Sequence, residues 1–481
     1  MSAPEITEVT RWFTMNDGVR LDATVCTPGG PAPADGWPAV LLIHGHGEDG
    51  SKATTLDKGR RFAARGYLTV CYSVRGQGGS EGLSFHLGAR ELFDLQDVIT
   101  AVLDALPVDR LGVYGSSQGG WHSWMAAAHH PGVTTAVPQN IFVDYADFAV
   151  PEGCLSRWFF TRTMRRRVMT AGLQYLARQW AIEGEWDRLR EWLRPMSPRL
   201  FVERIRCPVF IVHGWHDAGM PAGEILAAFE RLQGPRKLYL GGGGHEGRDA
   251  DEALKMREAM VDRWLDHWLK DEDTGLLDEP EITYAVRPGW GHVSTDAVRS
   301  VGSRALYLRH GGGLTPEAPD APTPNSNVHN VPIDRGYTLE TAIHRDMVGT
   351  AEALTHESVC FEGAPLEAPL EILGAPAFRL FMLPNRGFFQ VHAQLWDVGP
   401  DGEARLISRG HFGTRTASPG RHITVDISGR DIAWTVAAGH RLRVVVCNYD
   451  TDWVYPYYEP YSARLYHEAE RSSSVSIPLA R

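Results

Sequence analysis

The sequence predicts an α/β fold, a mostly parallel sheet covered by helices, followed by an all-β domain. Three observations carry that prediction. Between about residue 38 and residue 270, short apolar runs alternate with helical patterns, as a parallel sheet with helices on its faces requires. After Asp271-Glu272-Asp273 the texture changes to short period-two runs broken by Gly and Pro, the pattern of a β-sandwich. At 481 residues the chain exceeds what one core comfortably holds, so two domains are expected.

The first strands are expected at 8–15 and 19–26, joined through Asn16-Asp17-Gly18, an Asp-Gly hairpin signal. A strand at 38–43, a helix at 54–65 and a strand at 68–74 follow. Leu92, Phe93, Leu95, Val98, Ile99, Val102 and Leu103 share one face of a helix at 87–105. The strand at 111–115 runs into Gly115-Ser116-Ser117-Gln118-Gly119-Gly120 and then into a helix starting near Trp121. A strand at 134–138 precedes a stretch, 141–206, in which the alternation stops. That stretch is helical in pattern and carries Trp158, Trp180, Trp186 and Trp192. Within it Arg157, Arg162, Arg165, Arg166 and Arg167 form a local cationic cluster, broken up by aromatics and Met164, which reads as a solvated helix face. The strand at 208–214, helix at 224–232 and strand at 237–240 resume the alternation. A helix at 253–269 gathers Met256, Met260, Val261, Trp264, Leu265 and Trp268 on one face. Strand-like runs then recur at 282–286, 304–308, 377–382, 392–398, 423–427 and 440–447, with a Pro-rich surface loop at 316–328.

The Gly-x-Ser-x-Gly pattern at 115–119 stands where its mechanism needs it, at a sharp turn from strand to helix. Glycines at 115 and 119 clear space for the turn, which lifts the Ser117 hydroxyl out of the sheet. A serine hydroxyl needs an adjacent base, oriented by a third group. Asp217 follows the strand at 208–214, and His245 follows the strand at 237–240 and four glycines. The order Ser, Asp, His along the chain is that of an α/β-hydrolase. Asp217 is the preferred acid, with Asp144, past the strand at 134–138, as its rival. Two backbone N–H groups are expected to bind the oxyanion: that of Gln118, after the nucleophile, and that of His46, in the loop His44-Gly45-His46-Gly47. His44 is expected to brace that loop. His213-x-x-His216-Asp217 resembles a metal motif, but a strand sets these side chains apart and no further ligand cluster accompanies them. No metal and no cofactor are expected. The predicted boundaries are 1–140 with 207–272 for the catalytic domain, 141–206 for a helical cap and 273–481 for the β domain. Most cap tryptophans are expected to pack the cap, and one or two to meet substrate.

A net charge of −11 and the lack of a basic stripe argue against a nucleic-acid partner. The start, Met1-Ser2-Ala3-Pro4-Glu5, does not read as a secretory leader. No apolar run approaches the ~20 residues of a membrane helix. Cysteines 26, 71, 154, 207, 360 and 447 lie far apart, as buried small hydrophobes in a reducing compartment would. A cytoplasmic enzyme acting on a small molecule is expected, with homo-oligomerisation left open.

Two resemblances follow. Trp268-Leu269-Lys270-Asp271 with Thr274-Gly275, Pro365-Leu366-Glu367, Ile372-Leu373-Gly374-Ala375-Pro376, Gln394-Leu395-Trp396-Asp397-Val398 and Ala438-Gly439-His440-Arg441-Leu442-Arg443 resemble the jelly roll of the CocE/NonD-type hydrolases. These include X-Pro dipeptidyl peptidases, cocaine esterase and α-amino acid ester hydrolases. Arg75-Gly76-Gln77, the elbow and His245-Glu246 resemble acetyl xylan esterases, whose Arg and Gln support the site's architecture. The first resemblance implies a serine hydrolase with a C-terminal jelly roll. Where that family usually has Tyr after the serine, Gln118 stands here, which points to a backbone donor at His46. Dipeptidyl peptidases also need an acidic pair for a free amino terminus; Asp144, Asp147, Glu152 and Glu183 are the cap's candidates. The expected activity is cleavage of carboxylic esters through Ser117, His245 and Asp217. An X-Pro dipeptidyl peptidase or α-amino acid ester hydrolase is the first alternative, and an inactive binding protein on the same scaffold the second.

Overall fold

The computed structural model describes residues 5–480 apart from 47–49, 86, 158, 161–170, 218, 246–248, 331–347, 350–357, 449, 451–453, 456 and 458. Gly47, Trp158, Glu246 and the run from Arg162 to Arg167 therefore lie outside the described residues.

The chain opens with an antiparallel hairpin of β1 (Ile6–Thr14) and β2 (Arg20–Pro28). Gly18, at φ 84°, closes its turn, as the Asp-Gly signal requires. Then come β3 (Trp37–Ile43), α1 (Ala53–Ala63), β4 (Leu68–Tyr72), α2 (Ala89–Ala105), β5 (Val108–Ser116), α3 (Gln118–His129) and β6 (Val133–Gln139). After the helices α4 (Tyr145–Ala149), α5 (Ala171–Glu183) and α6 (Trp186–Leu193), the alternation resumes with β7 (Val209–Gly214), α7 (Ala222–Arg231), β8 (Arg236–Gly241) and α8 (Asp251–Lys270). Strands β9 (Ile282–Val286) and β10 (Gly291–Thr295) complete a ten-stranded sheet in the order β1-β2-β4-β3-β5-β6-β7-β8-β9-β10. From β4 and β3 through β9 the pairing is parallel.

Parallel strands are buried on both faces, and the side chains show it. In β3, Val40 and Leu42 pack with Phe62 of α1 and with Trp264 and Leu265 of α8, whereas Ala39, Leu41 and Ile43 join the core under α2 and α3. Phe210 and Val212 of β7 divide from Val209 and Ile211 in the same way. The Trp264 indole N–H donates to Thr135 Oγ1 at 2.8 Å, so its polar end is satisfied inside that core.

One strand assignment is corrected. The run at 282–286, expected in the β domain, pairs with β8 and extends the catalytic sheet. A period-two pattern says that a strand exists and which faces it has; it does not say which sheet it joins. The second sheet holds fourteen described strands, among them the long antiparallel pair Phe389–Val398 and Ala404–Thr414. The expected strands at 304–308, 377–382, 423–427 and 440–447 are all found there, each slightly shifted or extended.

The stretch after β6 is helical, with short 3-10 turns such as Pro151–Gly153 and Pro198–Leu200. Its described tryptophans pack. Trp180 and Trp192 meet edge-on at 6.2 Å, and Trp186 lies 5.8 Å from Tyr457 of the second domain. Among the described residues no helix is long and apolar enough to cross a membrane. All six cysteines are free thiols.

Candidate active site

Ser117 sits between β5 and α3 at φ 57° and ψ −118°, a strained backbone for a residue with a Cβ. Its own N–H donates to Gln139 O at 2.9 Å and its carbonyl accepts from Trp121 N at 3.0 Å, so the turn is pinned on both sides. The neighbouring glycines are there because nothing larger fits. A Cβ on Gly119 would strike the Ile43 carbonyl, and one on Gly115 would strike the backbone of Gly119.

Asp217 and His245 come from the loops after β7 and β8. These loops run side by side: Trp215 N donates to Gly241 O at 2.9 Å and His216 N to Gly243 O at 3.2 Å. A side chain on Gly214 would collide with Gly243, which explains the glycines in this crossing. The result brings three distant residues together. His245 Nδ1 lies 2.6 Å from Asp217 Oδ2, and His245 Nε2 lies 3.0 Å from Ser117 Oγ. A carboxylate only accepts, so Nδ1 carries the proton and Nε2 accepts from the serine hydroxyl. Asp217 is 1 % exposed, which keeps water from competing for the imidazole.

Asp144 is occupied elsewhere. It caps α4, accepting from Ala146 N at 2.9 Å and Asp147 N at 3.3 Å, and it pairs with the Arg199 guanidinium. The metal-like motif also resolves into separate roles. His213 Nε2 donates to Met220 O at 2.7 Å, while His216 packs edge-on to Trp434 at 5.9 Å.

The two expected oxyanion residues meet through their side chains. His46 Nδ1–H and Gln77 Nε2–H both donate to Gln118 Oε1 at 2.9 Å. Gln77 thus ties the Arg75-Gly76-Gln77 loop to the elbow. Arg75 anchors that loop by a buried ion pair with Asp94 at 2.6 Å. His44 braces the turn as expected: its Nδ1–H donates to Gly45 O at 2.8 Å and its Nε2 accepts from Val74 N at 3.0 Å. Gln118 is the first residue of α3, so its N–H has no partner within the helix and sits at the positive end of the helix dipole.

Residues 17–247 match the family model described as X-Pro dipeptidyl-peptidase (S15 family), and residues 268–466 match the model of its C-terminal non-catalytic domain. The chain belongs to the S15 family of serine hydrolases. A protein named "Putative serine esterase" from Mycobacterium tuberculosis is 22% identical over 599 residues, covering 97% of this chain and 94% of its own. Two solved structures share the fold across nearly the whole chain. An aminopeptidase from a Thaumarchaeota archaeon superposes with a TM-score of 0.80 at 18% identity, covering 100% of this chain and 97% of its own. An α-amino acid ester hydrolase gives 0.76 at 19% identity, covering 99% and 97%.

This S15 hydrolase has a second feature that the sequence did not reveal. A cavity of about 170 Å³ opens between the helical stretch, the loop after Asp217 and the second domain; Asp147, Glu152, Arg190, Glu224 and Arg430 line it. Asp147 pairs with Arg190 at 2.5 Å and Glu152 with Arg430 at 3.0 Å. Burial, only partly offset by Arg430, pushes the Glu224 carboxyl up to about 8. Of the four carboxylates proposed from sequence, Asp147 and Glu152 reach this cavity, Asp144 caps α4 and Glu183 accepts from Gln179 at 3.0 Å. Glu224, Arg190 and Arg430 carried no local signal, because only tertiary contact assembles them.

Proposed function

We propose that the protein cleaves carboxylic esters through an acyl-enzyme on Ser117. Ser117 Oγ attacks the acyl carbon while His245 Nε2 takes its proton. Asp217 holds the imidazole in the tautomer that accepts at Nε2 and stabilises the imidazolium. The developing oxyanion is taken by the backbone N–H groups of Gln118 and His46, with each such donor worth ~3 kcal/mol in the transition state. The side-chain bonds from His46 and Gln77 to Gln118 fix the two donors relative to each other. His245 then protonates the leaving alcohol, and a water activated by the same imidazole releases the acid. The observation that carries this reading is the single histidine within hydrogen-bond reach of both Ser117 and Asp217. The helical stretch 141–206 serves as a cap over the site, and the six free thiols fit a cytoplasmic location. The test is ester turnover by Ser117→Ala: loss of activity with an unchanged fold supports the mechanism, and retained turnover rejects it.

The acidic cavity favours a second reading, in which the substrate carries a free amine and the scissile bond is an amide. An ammonium group beside Glu224 would restore the charge that burial suppresses there. Turnover of nitrophenyl acetate against that of a Gly-Pro anilide separates the two. Strong preference for the anilide, lost in Glu224→Gln, would establish the amine-directed reading.

A further inference from the structure

Trp434 lies far from Ser117 in sequence and in another domain, yet it meets the loop that carries Asp217. It belongs to the strand Ile432–Val436, which docks on the end of β9: Arg287 N donates to Ala433 O at 2.9 Å and Thr435 N to Arg287 O at 2.7 Å. β9 in turn receives the Trp215 indole N–H at Ala285 O, 2.9 Å away. The loop is therefore held from both sides. Trp215 is tied to β9, and His216, adjacent to Asp217, abuts the edge of Trp434. The Trp434 ring is itself fixed. Its Nε1–H donates to Asp397 Oδ2 at 3.0 Å, and Asp397 Oδ1 accepts from His440 Nδ1 at 2.7 Å. Trp434 and Asp397 are each 2 % exposed. A narrow cavity lined by Trp215, His216 and Asp217 on one side and by Ser408 and Asp431 on the other sets further residues of the second domain beside the acid's loop. The charged groups facing His216 here are Arg287 and Arg409.

We infer that Trp434, oriented by Asp397, is a positioning residue for the catalytic acid: the second domain sets the angle at which Asp217 meets His245. This rests on the triad reading above and adds to it a working part for the β domain. A buttress that only fills space would influence stability, whereas a positioning wall also influences how firmly the carboxylate supports the imidazolium.

The test uses the full chain and three variants, Trp434→Ala, Trp434→Phe and His216→Ala. Misplacing a catalytic group by a fraction of an ångström lowers turnover, so Trp434→Ala and His216→Ala are each expected to reduce kcat about tenfold with KM within about twofold. Their acid limb of kcat/KM should move to lower pH, because a loosened carboxylate stabilises the imidazolium less. Labelling of Ser117 by a fluorophosphonate should slow in proportion. Trp434→Phe keeps an aromatic edge against His216 and should stay within about threefold of the parent. The double variant Trp434→Ala/His216→Ala should fall little below either single one, since both break the same contact. A folded Trp434→Ala, or His216→Ala where the former fails to fold, with unchanged kcat and acid limb would overturn the inference. Because Ser117→Ala would still be inactive in that case, the triad reading would survive it; active Ser117→Ala would sink both.

Discussion

His245 is the residue on which the proposed chemistry turns, because among the described residues it alone touches both oxygen-bearing partners, at 2.6 and 3.0 Å. Ser117→Ala is expected to lower turnover by on the order of 10⁶, as removal of a triad nucleophile does elsewhere. Asp217→Asn should cost on the order of 10⁴ by favouring the wrong imidazole tautomer. Asp144→Asn supplies the contrast. It loses the pairing with Arg199 and weakens the cap of α4, so Tm should fall by an amount worth ~1–2 kcal/mol while kcat stays within about threefold. Steady-state kinetics and thermal melts on the same three proteins check this; a large kcat loss in Asp144→Asn with none in Asp217→Asn would mean that the acid is misassigned.

The strand–turn–helix around Ser117 shows what an element can and cannot say in advance. Ser117, Asp217 and His245, the proposed nucleophile, acid and base, could be singled out because each lies just past a strand and each strand has an unambiguous apolar run. The glycines were legible for the same local reason. Gly119→Ala should cost ~3 kcal/mol or more, since its Cβ would meet the Ile43 carbonyl with no side chain able to yield, and calorimetry together with ester turnover would register the loss. What the sequence hid is whatever two distant elements make together. Glu224 reads as one carboxylate on the α7 face, and only the fold sets it opposite Asp147 and Arg430. Strand β9 reads like its neighbours in the second domain, and only its hydrogen bonds to β8 place it in the catalytic sheet. Asp144 and Asp217 both follow a strand, and only the cap contacts of the first and the histidine contact of the second tell them apart.

Across the whole molecule, burial sets how stability depends on pH. His122, His392 and His467 are each pushed down to about 4 by desolvation. Below about pH 6.5 the unfolded chain takes up protons that the folded chain refuses, so stability is lost as pH falls from there toward 4. Burial acts oppositely on Glu91, pushed up to about 7, and on Glu224 at about 8. The folded chain keeps these protons after the unfolded chain has released them, so their contribution declines as pH rises through 7 and 8. The two trends together predict a Tm maximum near pH 6.5, and a melt series from pH 4 to 9 that rose throughout would contradict it. Covalent labelling addresses the proposed nucleophile, Ser117, directly. Treatment of the whole protein with a fluorophosphonate, followed by peptide mapping, is expected to place one label per chain, on Ser117, with ester turnover lost in step. A label on another residue, or full turnover after Ser117 is modified, would contradict the account.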